Sequence, residues 1–202
     1  MSEGKPQLGR RERNKQEKLD RITAAATQLF AQHGVAGVTT QQIADAADIG
    51  TGTLFLYVKT KGELLLLVQN NNYAAALARG KTAAAAQSTV LAAVMALVTP
   101  VIECNRVQVA DGRTYLQEMV FGDPEEPYHA KALNIVGETQ QEIKELIMRH
   151  TESNAEKADS LAQVIAATVY MVLASALNKD KSPAELVAEL RGLVQVILRA
   201  ES

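Results

Sequence analysis

The feature that most limits the fold of this chain is the spacing of its apolar residues, which is helical over nearly the whole length. Apolar side chains recur every three or four residues, and no segment alternates steadily between apolar and polar residues as a half-buried strand does. Alanine and leucine dominate the apolar content, whereas the chain has no Trp, three Phe and five Tyr. The sequence therefore predicts an all-α fold.

Helix start and stop signals divide the chain into about nine helices. A Ser, Thr, Asp or Asn side chain caps the free N–H groups of a first turn, and Glu or Gln three residues later completes a capping box. We expect capping boxes at Thr39, Thr60 and Ser182, an end at Gly34, and a kink or break at Pro100. Further starts are expected at Asp111, at Asp123 with Pro124, and at Ser153. The expected helices span about residues 14–33, 39–47, 51–58, 60–79, 88–105, 113–121, 124–150, 153–178 and 182–199.

Two stretches without charged residues, 82–102 and 160–178, have the length of membrane spans. Both contain Gln, Ser and Thr among alanines, which contribute little transfer energy, so we expect buried helices of a soluble bundle. A polar N-terminus predicts no signal peptide. The single cysteine, Cys104, excludes an internal disulfide framework and fits a reducing, cytoplasmic location.

Charge is distributed unevenly along the chain. Residues 1–62 hold nine Lys or Arg and six Asp or Glu, a net charge of +3. Residues 63–202 hold twelve and seventeen, a net charge of −5. A basic N-terminal part suits a polyanion such as DNA, although a solvated basic segment would have the same composition.

Residues 39–58 have the pattern of a helix-turn-helix: a short helix, a tight turn at 48–50 and a second short helix. Both helices are too short to be stable alone, so the first helix of the chain must support them in a three-helix unit. In such a unit the second short helix lies in the major groove of DNA. The alternative is that Leu54, Phe55 and Tyr57 are core residues and that the nearby lysines are a solvated surface.

Several side chains on and beside that second helix suit contact with DNA. Gly52 allows close approach of the backbone, and Tyr57 can bond to a phosphate. At least one of Phe55 and Leu56 should be exposed, where it could meet a thymine methyl group. Lys61 lies in the first turn of the fourth helix, where its positive charge is unfavourable to the helix dipole. A DNA phosphate would compensate for this charge. The predicted DNA-binding residues are Thr39, Gln41, Gln42, Thr51, Gly52, Thr53, Phe55, Leu56, Tyr57, Lys59 and Lys61.

Residues 38–65, VTTQQIADAADIGTGTLFLYVKTKGELL, closely resemble the DNA-binding signature of the tetracycline-repressor-like (TetR) family. The shared features are the Thr39 cap, Ile43-Ala44, Ala47 with Ile49, Gly52-Thr53-Leu54-Phe55, Tyr57, Thr60-Lys61 and Leu64-Leu65. The first helix matches too, so the specific resemblance covers about residues 19–67. The chain departs from the family pattern at Gly50, Thr51, Phe55, Leu56 and Val58, which makes the second helix less polar than is usual.

The resemblance implies two domains and a homodimer. Residues 1–59 would bind DNA, with 1–12 as a flexible basic arm, and residues 60–202 would form a helical ligand-binding and dimerisation domain. The last two helices would form a four-helix interface with the partner subunit. Apolar residues there are Val164, Ile165, Val169, Val172, Leu173, Leu177, Leu186, Leu190, Leu193, Val194 and Ile197, and the small residues Ala166, Ala167, Ala174 and Gly192 allow close approach. The alternative is burial inside one subunit.

The resemblance also implies a ligand cavity among the fourth to eighth helices. Candidate lining residues are Asn70, Tyr73, Glu103, Cys104, Tyr115, Glu118, Met119, Phe121, Asn134 and Tyr170. The implied function is that of a repressor released from a pseudo-palindromic operator when an unidentified small molecule binds. The fourth helix would act as the lever, because a ligand weakens DNA binding only through its different affinities for two conformations.

Two other classes of function are weaker alternatives. His33, His129 and His150 are scattered, Cys104 has no histidine near it in sequence, and no phosphate-binding glycine loop occurs. We therefore expect no catalysis, no metal and no cofactor. The second alternative is a helical interaction module, or a DNA-binding regulator controlled by a protein partner. An enclosed pocket would favour a small molecule, and a filled core would favour the partner.

Overall fold

The computed structural model describes residues 9–199, and within this range it contains nine α-helices, one short 3-10 helix and no strand. The prediction of an all-α fold is confirmed. The helices are α1 (Arg10–His33), α2 (Thr40–Ala46), α3 (Thr51–Leu54), α4 (Lys61–Ala85), α5 (Val90–Arg106), α6 (Val109–Phe121), α7 (Pro127–His150), α8 (Ala155–Ala174) and α9 (Pro183–Arg199). The 3-10 helix, Ala176–Asn178, separates α8 from α9.

The chain forms two compact units that meet in sequence between Val68 and Gln69, inside α4. The first unit contains α1, α2, α3 and the first eight residues of α4, and the second contains the rest of α4 and α5–α9. The sequence predicts the domain boundary between residues 59 and 60. The two compact units divide later, between residues 68 and 69, after α4 has begun.

The first unit is built on the apolar face of α1. Ile22, Ala26 and Phe30 recur at helical spacing and are buried together with Ile43 of α2 and Leu54 of α3. α1 packs against α2, and α2 packs against α3. α1 therefore supports α2, and α2 in turn supports α3, as the sequence predicts for elements that are too short to be stable alone.

The ends of α1 differ in how well the sequence predicts them. The helix ends at Gly34 as predicted, with φ 67° and ψ 163°, a conformation that a β-carbon makes costly. It begins at Arg10 rather than near Asn14. Residues 10–12, expected in a flexible arm, are helical because they continue a run of strong helix formers; residues 1–8 of that arm lie outside the described range.

The second unit is a helical bundle. α7 packs along α8, α9 packs against α5 and α8, and α6 contacts α5, α7 and α8. α4 and α5 approach most closely at Gly80, where an added β-carbon would lie 2.1 Å from the carbonyl oxygen of Leu97. A larger residue at position 80 would force these two helices apart. Glycine at this position therefore allows the close packing of α4 against α5.

Local capping predicts some helix starts and not others. The box at Ser182 is confirmed: its hydroxyl accepts from the Glu185 N–H at 3.3 Å, and the Glu185 carboxylate accepts from the Ser182 N–H at 2.8 Å. The backbone and hydroxyl bonds from Ser182 lower the pKa of Glu185. Pro100 lies inside α5, which continues through it, so the predicted break is wrong.

Several expected boundaries are wrong because a neighbouring residue takes the role. α6 starts at Val109, so Asp111 lies buried inside its first turn. α7 starts at Pro127, not after Asp123, because the second of two nearby prolines takes the first position. Asn154, not Ser153, caps α8 by accepting from the Lys157 N–H at 2.9 Å. α4 extends to Ala85 rather than Arg79, and α8 ends at Ala174 rather than near Asn178.

Candidate DNA-binding surface and ligand pocket

The first helix of the helix-turn-helix has the capping box that the sequence predicts. The Thr39 hydroxyl accepts from the Gln42 N–H at 3.2 Å, and the Gln42 side-chain oxygen accepts from the Thr39 N–H at 2.8 Å. Both side chains are exposed, but their polar atoms already satisfy the first turn of α2. Thr39 and Gln42 therefore position α2, whatever further contacts they make.

The turn between α2 and α3 is held by a left-handed residue and by a side-chain bridge. Asp48 has φ 53°, and its carboxylate lies 3.4 Å from the Arg21 guanidinium of α1. The Thr51 hydroxyl donates to the Gln41 side-chain oxygen, and Gln41 Nε2 donates to Asp45 at 2.7 Å. These bonds fix the direction in which α3 leaves the turn.

The segment from Thr51 to Val58, which we name the recognition element, presents its predicted contact residues outward. Regular helix ends at Leu54, but bonds such as Tyr57 N–H to Leu54 O at 2.9 Å continue the helical turn to Val58. Leu54 and Val58 are buried in the first unit, whereas Phe55 is 46% and Leu56 83% exposed. The core interpretation thus holds for Leu54, and two apolar side chains are displayed beside Gly52 and Thr53.

The exit from the recognition element is held by the start of α4. The Thr60 hydroxyl accepts from the Glu63 N–H at 3.0 Å, and the buried Glu63 carboxylate accepts from the Lys59 N–H at 2.8 Å. Lys61 Nζ donates to the Val38 carbonyl at 3.2 Å. The compensation expected for the charge of Lys61, for which a phosphate would serve, is therefore already supplied in part by a protein carbonyl. Lys61 links α4 to the loop before α2, in addition to any contact with DNA.

Gly52 offers a test in which stability and DNA binding change in opposite directions. A β-carbon at Gly52 meets nothing within 4 Å, so Gly52→Ala should stabilise the free protein by about 0.5–1 kcal/mol. The same methyl group would stand between the backbone and the duplex, so we expect about tenfold weaker DNA binding, or about 1.4 kcal/mol. Urea unfolding and fluorescence anisotropy measure the two effects. The matched control is Gly137→Ala, in α7 with equal room, which should stabilise without weakening DNA binding.

The second unit contains a partly open apolar cavity of about 90 Å³ among α4–α8, the helices in which a ligand cavity is expected from the sequence. Every one of these helices contributes to the wall, and α7 and α8 contribute most of it. The lining residues are Tyr73, Val98, Val101, Tyr115, Leu116, Met119, Ala132, Ile135, Val136, Thr139, Ile143, Ala166, Val169, Tyr170 and Leu173.

Four of the ten predicted ligand-binding residues line this cavity, namely Tyr73, Tyr115, Met119 and Tyr170. Asn70 is buried and bonds to the hydroxyl of Tyr115, a residue of the cavity wall. Glu103 and Asn134 are exposed. Phe121 is 77% exposed and forms no part of the cavity wall. Cys104 and Glu118 lie outside the cavity, and burial raises the pKa of the Cys104 thiol. The apolar lining residues were missed because in the sequence they are indistinguishable from ordinary core residues.

A polar network supports one wall of the cavity. The rings of Tyr73 and Tyr115 stack with their centroids 4.2 Å apart. Asn105 Nδ2 donates to the Tyr73 hydroxyl at 2.8 Å, and the Tyr115 hydroxyl donates to Asn70 Oδ1 at 2.9 Å. Asn70 Nδ2 in turn donates to the Tyr128 carbonyl at 2.9 Å. Two tyrosine hydroxyls of the cavity are therefore committed to the protein, whereas that of Tyr170 makes no hydrogen bond within residues 9–199.

The buried tyrosines predict a loss of stability at alkaline pH. Burial raises the pKa of both Tyr73 and Tyr115 above the ordinary value of 10.0. Below pH 10 both tyrosine hydroxyls are protonated in the folded and in the unfolded chain, so the free energy of unfolding does not depend on them. Above pH 10 the hydroxyls lose their protons only in the unfolded chain, and the free energy of unfolding falls. We expect each tyrosine to contribute about 1.4 kcal/mol per pH unit. Urea titrations from pH 9 to 11 should show a shallower fall for Tyr115→Phe, and an identical slope would contradict the assignment.

Buried polar residues at the end of α5 were also missed by the sequence analysis. Arg106 Nη2 donates to the Leu173 carbonyl at 3.1 Å, and Arg113 Nε donates to the Ala174 carbonyl at 3.2 Å. These two cations satisfy the last turn of α8, where positive charge is favourable. Burial, with a smaller contribution from Arg113, lowers the pKa of Arg106. Both arginines thus hold α8 against α5 and α6.

α8 and α9 expose an apolar stripe at helical spacing. It consists of Val164, Ala167 and Met171 on α8 and Gly192, Leu193 and Val196 on α9, with Met171 61% and Val196 68% exposed. The expectation that α8 is a buried helix is therefore wrong for this side. Conversely, six residues expected at a dimer interface are buried in the core of the chain itself, namely Ile165, Val172, Leu173, Leu186, Leu190 and Val194.

Within residues 9–199, no group of three or more His, Cys, Asp or Glu side chains could hold a metal ion. By length and composition alone, α8 is the one helix in this range that could cross a membrane, and α5 with α6 would add a second span only if a pair bent by 112° counted as one.

An outward recognition element on a capped helix-turn-helix defines the first unit as a DNA-binding domain of the kind found in transcriptional regulators. Residues 22–68 match the family described as bacterial regulatory proteins, tetR family, and this domain belongs to it. The resemblance seen in the sequence is thereby confirmed.

Solved structures match over most of the chain. A TetR transcriptional regulator from Rhodococcus sp. RHA1 is 17% identical with a TM-score of 0.68, covering 92% of this chain and 97% of its own. FadR from Thermus thermophilus, a TetR-family repressor in complex with lauroyl-CoA, is 18% identical with a TM-score of 0.66, covering 88% and 93%. The fatty acid degradation regulator FadR from Bacillus halodurans is 20% identical with a TM-score of 0.61, covering 95% and 96%. None of the curated protein sequences matches the chain. The chain as a whole therefore has the fold of TetR-family regulators.

Proposed function

We propose that this protein is a cytoplasmic, homodimeric repressor that leaves a pseudo-palindromic operator when a small, largely apolar molecule binds its second unit. The observation that carries the proposal is the pairing of an outward recognition element with an apolar cavity in the same chain. A filled core would have favoured control by a protein partner. The FadR structures, one with lauroyl-CoA and one from Bacillus subtilis with stearoyl-CoA, hold ligands whose acyl chains are apolar, which supports an effector with an apolar part.

The size of the cavity suggests how an effector would act. At about 90 Å³ it is smaller than the roughly 300–1,000 Å³ of typical ligand pockets. An effector larger than the cavity would bind more tightly to a conformation in which the cavity walls are displaced. The difference between its affinities for the two conformations would couple the cavity to the DNA-binding surface. α4 carries Tyr73 of the cavity and, twelve residues earlier, Lys61, a distance of about 18 Å along a helix.

Tyr170 is the proposed polar contact for the effector. Its hydroxyl is uncommitted, whereas those of Tyr73 and Tyr115 already have partners. One hydrogen-bonding group on an otherwise apolar molecule would suit this lining.

Selection from a random duplex library, followed by anisotropy titration, tests the whole proposal. The wild type should select an inverted repeat, and butyryl-, octanoyl- and lauroyl-CoA, together with small aromatic alcohols, serve as probes. At least one probe should raise the melting temperature and lower DNA affinity about tenfold, and less so for Tyr170→Phe. A probe that saturates the protein while DNA affinity stays the same would contradict release by ligand.

A further inference from the structure

The first turns of α1 form a cationic segment whose charges are not neutralised. Residues 10–18 contain five Lys or Arg against Glu12 and Glu17 and are almost entirely exposed. Among residues 9–199, none of these five cations forms a salt bridge, unlike Arg21 further along, which pairs with Asp48 at 3.4 Å. The segment therefore carries a net charge of +3 at the protein surface, which attracts a polyanion.

Four of these five cations share one side of α1. Arg10, Asn14 and Lys18 are four residues apart, and Arg11 and Lys15 repeat the spacing, so their side chains lie along one side of the helix. This side borders the α1–α3 groove, whose opposite wall is part of the recognition element. The groove is lined by Arg10, Arg11, Glu12, Asn14, Lys15, Lys18, Thr53, Leu56 and Tyr57.

The composition of the two walls matches a nucleic-acid backbone. One wall has four cations and a single carboxylate, and the other offers the Thr53 and Tyr57 hydroxyls. Phosphate oxygens accept from both kinds of donor. Leu56, 83% exposed, lies in the same groove and could pack against sugar carbons. Arg13 does not line the groove, although it is as exposed as its neighbours and carries the same charge.

The geometry points to a second DNA-binding element: the α1–α3 groove holds one sugar-phosphate strand of the duplex that the recognition element reads. Arg11 and Lys15 bind phosphates from one side, and Tyr57 binds from the other. This inference rests on the proposed function, because it needs the recognition element to bind DNA. It adds contacts that fix the position of the protein on the duplex and are independent of base sequence.

The experiment compares two arginines two positions apart. Arg11→Ala and Arg13→Ala remove the same charge from the same exposed helix, but only Arg11 lines the groove. Anisotropy titrations use the duplex selected by the wild type and a scrambled duplex, between about 50 and 200 mM salt. Arg11→Ala should weaken binding about three- to tenfold on both duplexes and reduce the slope of log affinity against log salt by about 0.9. Arg11→Ala with Lys15→Ala should reduce it by about 1.8.

The outcomes separate this inference from the function on which it rests. Equal, small effects of Arg11→Ala and Arg13→Ala on a wild type that binds DNA would overturn the groove alone. A loss confined to the selected duplex would overturn the phosphate contact in favour of base reading. A wild type that selects no duplex would overturn both proposals. Binding of the wild type to phosphatidylserine vesicles, lost in Arg11→Ala while DNA affinity is unchanged, would overturn the groove as a DNA site and assign it to a membrane surface.

Discussion

Met171→Asp combined with Val196→Asp is expected to yield a folded monomer whose operator affinity is about 100-fold or more below that of the wild type. Both side chains are mostly exposed within one chain, 61% and 68%, so neither change opens a cavity in the core. In a dimer the two carboxylates would be desolvated without a partner, which strongly opposes association. Two linked recognition elements that bind two half-sites together raise the affinity for the operator by a factor of roughly 10²–10⁴. A monomer loses this gain in affinity.

Sedimentation and anisotropy measure the two parts of this result. The control is Val107→Asp, which places the same charge at an apolar side chain that is 81% exposed but lies in the link between α5 and α6 and is not part of the stripe. It should remain a dimer with unchanged DNA affinity. A double variant that sediments as a dimer would show that the partner subunit does not cover this stripe.

Asn70→Ala is expected to lower the free energy of unfolding by about 2–4 kcal/mol. Asn70 is completely buried and bonds to two groups, the Tyr115 hydroxyl and the Tyr128 carbonyl, each at 2.9 Å. Alanine leaves the buried Tyr115 hydroxyl without its acceptor, at a cost of roughly 1–3 kcal/mol, and removes a further bond, worth roughly 0.5–1.5 kcal/mol, to the Tyr128 carbonyl. Because Tyr115 lines the cavity, the change should also loosen that wall.

Asn72→Ala is the matched control for this experiment. Asn72 lies two residues away in the same helix, is exposed, and bonds only to the exposed Gln69. Its replacement should change stability by less than about 0.5 kcal/mol in urea unfolding. If the two variants unfolded alike, the Asn70 bonds would have no net stabilising effect.

The parts of the fold that short-range signals specify could be predicted from the sequence. The capping boxes at Thr39 and Ser182 involve residues three apart, so both partners are visible in a few letters. The helical period of α1 likewise predicts Ile22, Ala26 and Phe30 as core. Where two neighbours could serve as the cap, as with Ser153 and Asn154, tertiary packing decides and the sequence does not.

The cavity depends on contacts between distant segments, which periodicity does not specify. Thr139 and Ala166 line it, yet nothing in their local sequence separates them from other helix positions. Asn105 and Arg106 are buried because Tyr73 and Leu173 lie opposite them, from 32 and 67 residues away. The sequence therefore predicts the helix-turn-helix, a local motif, far better than the lining of the cavity.

Leu56 stands almost entirely outside the packed interior and lies in the α1–α3 groove, for which we propose DNA binding. Its replacement should alter folding by no more than about 0.5 kcal/mol. Leu54 and Val58, two residues to either side, maintain the structure. If the proposed groove binds DNA, the affinity of the protein for DNA can therefore change at Leu56 with almost no thermodynamic penalty to folding, because folding depends on Leu54 and Val58 of the same short segment.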